Sequence, residues 1–108
     1  MGFKIAGRSF TGRYKVDEID EIEEEPGLYA VLCYRNKRHY LVDVGESENI
    51  KEELEGKNGK KTEWDKHCSG RLLISVYYTP DMEESDRNKL EKKIRNRHNP
   101  PCGKGWPI

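Results

Sequence analysis

The sequence is short of apolar side chains. Only 33% of its 108 residues are hydrophobic whereas 37% are charged, so a core must be drawn from a few segments. No apolar run approaches the roughly 20 residues that cross a bilayer, and the amino terminus lacks the apolar stretch of a signal peptide. An intracellular, cytoplasmic protein is expected. Cysteine is scarce too: Cys33, Cys68 and Cys102 are an odd number without paired spacing, which predicts reduced thiols. His67 beside Cys68, and His98 near Cys102, lack a Cys-x-x-Cys or His-x-x-x-His clip, so zinc is not expected. Net charge is also missing, since 20 Lys and Arg balance 20 Asp and Glu. That balance argues against strong non-specific attraction of the whole protein to nucleic acid. A chain of this length makes one domain with little core to spare.

What is present is organised around Gly27 to Ser47. Two β-prone runs flank Arg35, Asn36, Lys37 and Arg38, and Asn tolerates the left-handed backbone of a tight turn, so the segment predicts a hairpin. The first run is apolar on both faces and predicts a strand buried on both sides. In the second, Tyr40, Val42 and Val44 alternate with His39, Leu41 and Asp43, placing an ionisable group on a half-buried face. Arg71 to Thr79 alternates again and predicts a third strand, stopped by Pro80.

Helices are expected at 48–55 and 82–97. Ser47 is placed to cap the first, with Ile50 and Leu54 as its apolar stripe and Gly56 as its stop. Asp81 and Glu84 predict a reciprocal cap for the second, with Met82, Leu90 and Ile94 on one stripe. Trp64 marks the anchor of a short helix or turn, and Val16, Ile19 and Ile22 a helical turn before Pro26. Residues 1–25 form an amino-terminal extension packed on a domain spanning 26–108, its first 15 residues adding an edge strand or lying along the surface. The expected class is α/β (α+β), with a small, mainly antiparallel three-stranded sheet (27–34, 38–45, 71–79) flanked by the two helices.

Charge is segregated along the chain. Asp17 to Glu25 is strongly acidic, whereas Arg87 to Lys104 carries seven cations against the single acid Glu91. A solvated helix face explains such a run, and so does affinity for a polyanion.

Gly27-Leu28-Tyr29, then Asp43-Val44-Gly45 running into Glu46 to Ile50, then Glu91 and Pro100-Pro101-Cys102-Gly103 resemble, in order and spacing, the GIY-YIG nuclease superfamily. The resemblance covers roughly residues 26 to 103. It implies a small sheet with flanking helices that cleaves a DNA phosphodiester with one divalent metal, magnesium or manganese. Such chemistry needs an activated water, a cation facing the phosphate and a metal that bears charge on the leaving oxygen. By resemblance Tyr29 helps activate the water and Glu91 holds the metal.

Three positions depart from the family pattern. Asp43 stands where the second motif has tyrosine, Glu53 where the first helix has arginine, and Gly103 where asparagine follows the late prolines. Replacing a cation by an anion near a phosphate is a large effect, since charges about 4 Å apart interact by roughly 4 kcal/mol at an effective dielectric of about 20. Lys51 and Lys57 are candidates to compensate for Glu53, and Asp43 is a candidate second metal ligand beside Glu91. Arg87, Lys92 and Arg95 join Lys51 and Lys57 as candidate nucleic-acid contacts, to DNA sooner than RNA.

Plainer roles fit the same residues: Tyr29 as a packed aromatic, Asp43 as a turn cap, and Glu91 as the acid in a ladder with Arg87 and Arg95. Three functions are compatible with this set. The chain is a divergent nuclease-like domain with impaired or lost phosphodiesterase activity that binds nucleic acid, an active magnesium-dependent endonuclease using Asp43 and Glu91, or a protein-interaction domain.

Overall fold

The computed structural model describes residues 2–56 and 60–101. Lys57 and Gly103, both singled out above, lie outside them, as do Cys102 and Trp106. In chain order the elements are β1 (Gly2–Ile5), β2 (Arg8–Lys15), a 3-10 helix (Val16–Glu21), β3 (Gly27–Arg35), β4 (Arg38–Ser47), α1 (Ile50–Glu55), α2 (Lys60–Lys66), β5 (Arg71–Tyr78) and α3 (Glu84–His98).

The expected sheet is found and is larger than expected. Five strands run in the order β1-β2-β5-β3-β4, and every neighbouring pair is antiparallel. The two added strands are a hairpin built from residues 2–15, closed by Ala6 and Gly7 with φ of 51° and 79°. Ala-Gly is a weak turn signal beside Asn-Gly, and Phe3, Ile5 and Phe10 are too sparse to show a period. The central hairpin turns on Asn36 and Lys37, both left-handed with φ of 53° and 64°, so that Arg35 pairs with Arg38. Positive φ at both central residues matches the twist of the flanking strands.

β3 lies between β5 and β4 and is buried from Gly27 to Cys33, as its two apolar faces predict. One face carries Tyr29, Val31 and Cys33 under Ile50 and Leu54 of α1 and Trp64 of α2. The other carries Leu28 and Ala30 against Phe10 and against Leu90 and Ile94 of α3. The sheet curls over this second core until Phe3 of β1 meets His39 of β4, their ring centroids 4.6 Å apart.

Strict alternation fails on β4. Val31 pairs with Asp43 but Leu32 with Leu41, leaving Val42 as an extra residue. Such a bulge turns two successive side chains to one face. Val42 therefore joins Tyr29 and Val31 in the first core, Asp43 turns to the same side to meet Trp64, and Val44 joins the second core. Asp43 is buried, only 2% exposed, where a half-buried position was expected.

Helix boundaries also shift. α1 is capped by Asn49, whose side-chain oxygen accepts the Glu52 N–H at 3.0 Å, whereas the Ser47 hydroxyl accepts the N–H of Asn49. α3 starts at Glu84 behind Glu83, so the reciprocal cap expected from Asp81 does not form. The thiol expectation is overturned: Cys33 and Cys68 are joined in a disulfide across a sequence separation of 35. Cys33 lies on the face that α2 covers, and folding brings the loop after α2 against it. The argument for a cytoplasmic location from unpaired thiols goes with it. Among the described residues no helix is long and apolar enough to cross a membrane.

Candidate functional site

The site is built where β3 begins and β4 ends. Antiparallel pairing sets Tyr29 opposite Gly45, and the tyrosine ring lies over the glycine. A β-carbon at position 45 would overlap Cζ and Oη of Tyr29, so the glycine is required by close approach rather than by its dihedral angles. Burial pushes the Tyr29 phenol well above its ordinary value. The carboxylates of Asp43, Glu53 and Glu91 push the same way, and Arg95 opposes them. The hydroxyl thus stays protonated at any physiological pH. Asp43, Glu53, Glu91 and Arg95 are thus each within electrostatic reach of the Tyr29 hydroxyl.

Both acids expected to hold a metal are engaged by one side chain. Arg95, one turn beyond Glu91 on α3, donates from Nε to Glu91 Oε2 at 3.0 Å and from Nη2 to Asp43 Oδ1 at 3.1 Å. Its Nη2 also donates to the carbonyl of Val44. The remaining contacts of Asp43 close its carboxylate: Trp64 Nε1 donates to Oδ2 at 2.9 Å, and the Val44 N–H to Oδ1 at 2.8 Å. The turn-cap role proposed for Asp43 is met only by this bond to the next residue.

A divalent cation held jointly by Asp43 and Glu91 needs oxygens of both turned toward a common point. Here the guanidinium bridges them, and the second Asp43 oxygen is bound to an indole. Among the described residues no group of three or more His, Cys, Asp or Glu side chains is arranged to hold a metal ion. The two-carboxylate arrangement does not fit a divalent cation in this geometry. What it does instead is neutralise two buried carboxylates with an internal cation that links the end of β4 to α3.

The cations expected to contact nucleic acid separate into groups. Arg87 is buried, 3% exposed, and donates to Glu46 Oε2 and to the Met82 carbonyl, both at 2.9 Å. These bonds turn it inward, and Arg95 is half-buried against Glu91 and Asp43; of the two arginines it is Arg95 that pairs with Glu91. Lys92 is exposed, Lys51 is half-buried, and Lys89, Lys93 and Arg97 extend the exposed basic face of α3. Beside the site the opposite charge prevails. A cleft between α1 and the end of β4 is lined by Glu46, Glu48, Glu52, Glu53 and Glu84.

Sequence reasoning paired Arg95 with Glu91 from their four-residue step, but missed the contacts of Arg95 and of Trp64 with Asp43. Neither of these had a signal, because both depend on how the bulge turns Asp43.

No protein-family model matches the chain, and no curated protein matches it by sequence. Among solved structures it is similar to the GIY-YIG N-terminal endonuclease domain of UvrC from Thermotoga maritima, a point mutant bound to its catalytic divalent cation. The two share 18% identity with a TM-score of 0.56, over 78% of this chain and 88% of that one. The likeness is one of fold: the chain has the fold of a GIY-YIG endonuclease domain.

Proposed function

We propose that the chain uses the GIY-YIG fold as a nucleic-acid-binding module whose phosphodiesterase activity is impaired or lost. The observation that carries this reading is the guanidinium of Arg95 bonded to both Asp43 and Glu91. A carboxylate so paired is a poor ligand for a metal and a poor base for water. Glu53 and the glutamate-lined cleft beside it support the same reading, because a phosphodiester approaching that mouth meets negative charge. The exposed basic face of α3 supports retention of a polyanion away from the cleft.

The competing reading is an active endonuclease, and one observation favours it: the carboxylates of Asp43, Glu53 and Glu91 all act electrostatically on the Tyr29 hydroxyl. Incubation of the purified protein with plasmid DNA and with single-stranded DNA and RNA, in magnesium and in manganese, separates the two. Retention of nucleic acid without cleavage is expected. Cleavage in either metal that Glu91→Ala abolishes would overturn the proposal and establish the enzyme.

A further inference from the structure

The sheet carries its acids at one end only. No Asp or Glu occurs in residues 2–16, 26–42 or 66–80, so β1, β2, β3, β5 and the first half of β4 are free of acid. Asp43 and Glu46 are the acids of the strands, and both belong to the site end of β4. The turn end of the β3–β4 hairpin is about 20 Å away from Tyr29, at roughly 3.3 Å per residue along the strand. It gathers Arg35, Lys37 and Arg38 with Arg71, which pairs across the sheet with Tyr34.

Aromatic rings stand among these cations. Arg35 lies over the ring of Tyr40, 5.1 Å from its centroid, and Arg13 over Tyr34 at 5.4 Å. His39 packs against Tyr34 with centroids 4.8 Å apart. Tyr40 is 41% exposed, the one large hydrophobic side chain left open among the described residues. Exposed aromatic rings interleaved with arginine have a specific chemical use: every base has a π-face that stacks on a ring, while guanidinium groups hold the phosphates on either side. Duplex bases are already stacked and offer no such face, so the matching ligand is single-stranded.

We infer that the turn end of this hairpin is a platform for single-stranded nucleic acid, with Tyr40 as the stacking surface and Arg35 and Arg38 as the phosphate contacts. The inference rests on the nucleic-acid-binding reading above and assigns that binding to a surface remote from the Tyr29 site. Arg35 also donates to the Ser69 hydroxyl at 2.9 Å, which holds its guanidinium on the Tyr40 side of the hairpin before any ligand arrives.

The test is fluorescence anisotropy of a labelled oligothymidylate of about a dozen nucleotides, a size within reach of one small domain. It is run at several salt concentrations on the full chain. Tyr40→Ala is expected to weaken binding about tenfold, the scale of one lost base stack. The double variant Arg35→Glu with Arg38→Glu is expected to weaken it further and to flatten the salt dependence. Lys89→Glu with Lys92→Glu, on the basic face of α3 that also attracts a polyanion, is expected to weaken binding less than the hairpin pair does, through a general charge effect that salt removes. All five positions are solvent-facing, and an unchanged urea midpoint confirms that each variant folds. Binding lost with the α3 pair but kept in the hairpin variants would overturn the platform and leave the module standing. Equal affinity for an abasic strand or for a duplex would overturn the stacking. Binding of no oligonucleotide at all would overturn both proposals, and cleavage of the oligonucleotide would overturn the module alone.

Discussion

The two ends of the β3–β4 hairpin have opposite electrostatic solutions within one sheet. At the Gly45 end, carboxylates are buried and closed upon a single guanidinium. At the Asn36–Lys37 end, guanidinium groups stand in solvent against aromatic faces. The first arrangement makes a rigid contact between β4 and α3 and leaves little for a ligand to recruit. The second is cheap to hold and ready to exchange water for an anion. A formal net charge of zero conceals this difference entirely, because the balance is between regions and not within them.

Removing the guanidinium at each end tests this contrast most directly. Arg95→Met leaves Asp43 and Glu91 buried without a counter-charge and is expected to cost about 3–5 kcal/mol in urea unfolding. Adding Asp43→Asn and Glu91→Gln should recover most of it. Arg35→Met, the same change at the exposed end, should stay within about 0.5 kcal/mol. Equal costs at the two ends would abolish the distinction.

Next in size is the covalent link between the regions. The disulfide ties Cys33, near the turn end, to the loop behind α2, and α2 carries Trp64 to Asp43. Reduction, or Cys68→Ser, should cost about 4 kcal/mol for a closed loop spanning 35 residues of separation. A fall in thermal midpoint on adding reductant to the wild type, absent from the serine variant, is the check. Gly45→Ala probes the buried end by a different route. Its methyl would collide with Tyr29, at an expected cost of about 1–3 kcal/mol, partly relieved by Tyr29→Leu in the same chain.

The smallest effect is one of pH. Tyr29 has its folded value raised, so the folded state keeps a proton that the unfolded chain loses at its ordinary 10.0. Its contribution to stability is complete below pH 10 and is lost as pH rises above it. Tyr78, also raised by burial, acts with the same sign. Urea midpoints between pH 8 and pH 11 should therefore fall, and fall less in Tyr29→Phe.

Much of this was legible in the residues. β3, β5 and the long last helix derive from alternation, apolar spacing and Pro stops, and the hairpin turn from Asn36. Tyr29 and Glu91 were named through a resemblance, and Asp43 as a departure from it; the structural comparison supports the fold of that resemblance. Two kinds of information were out of reach. β1 and β2 bury little per residue, since Phe3, Ile5 and Phe10 stand alone among polar neighbours, and they are held by pairing, β1 with β2 and β2 with β5, rather than by local pattern. The environment of Asp43 depends on a single unpaired residue at Val42, which reverses the faces of the positions after it and is invisible to a period-two reading. The disulfide was hidden for a related reason: proximity of Cys33 and Cys68 is a product of the layer that α2 forms, not of spacing.

The curl that brings Phe3 against His39 has a consequence for the molecule among its own copies. An open five-stranded sheet would offer two straight rows of unpaired backbone groups as templates for another chain. With its outermost strands bent toward each other and pinned by an edge-on ring contact, this one presents neither as a flat border, and stacking of one sheet beside the next is discouraged by shape before charge is considered.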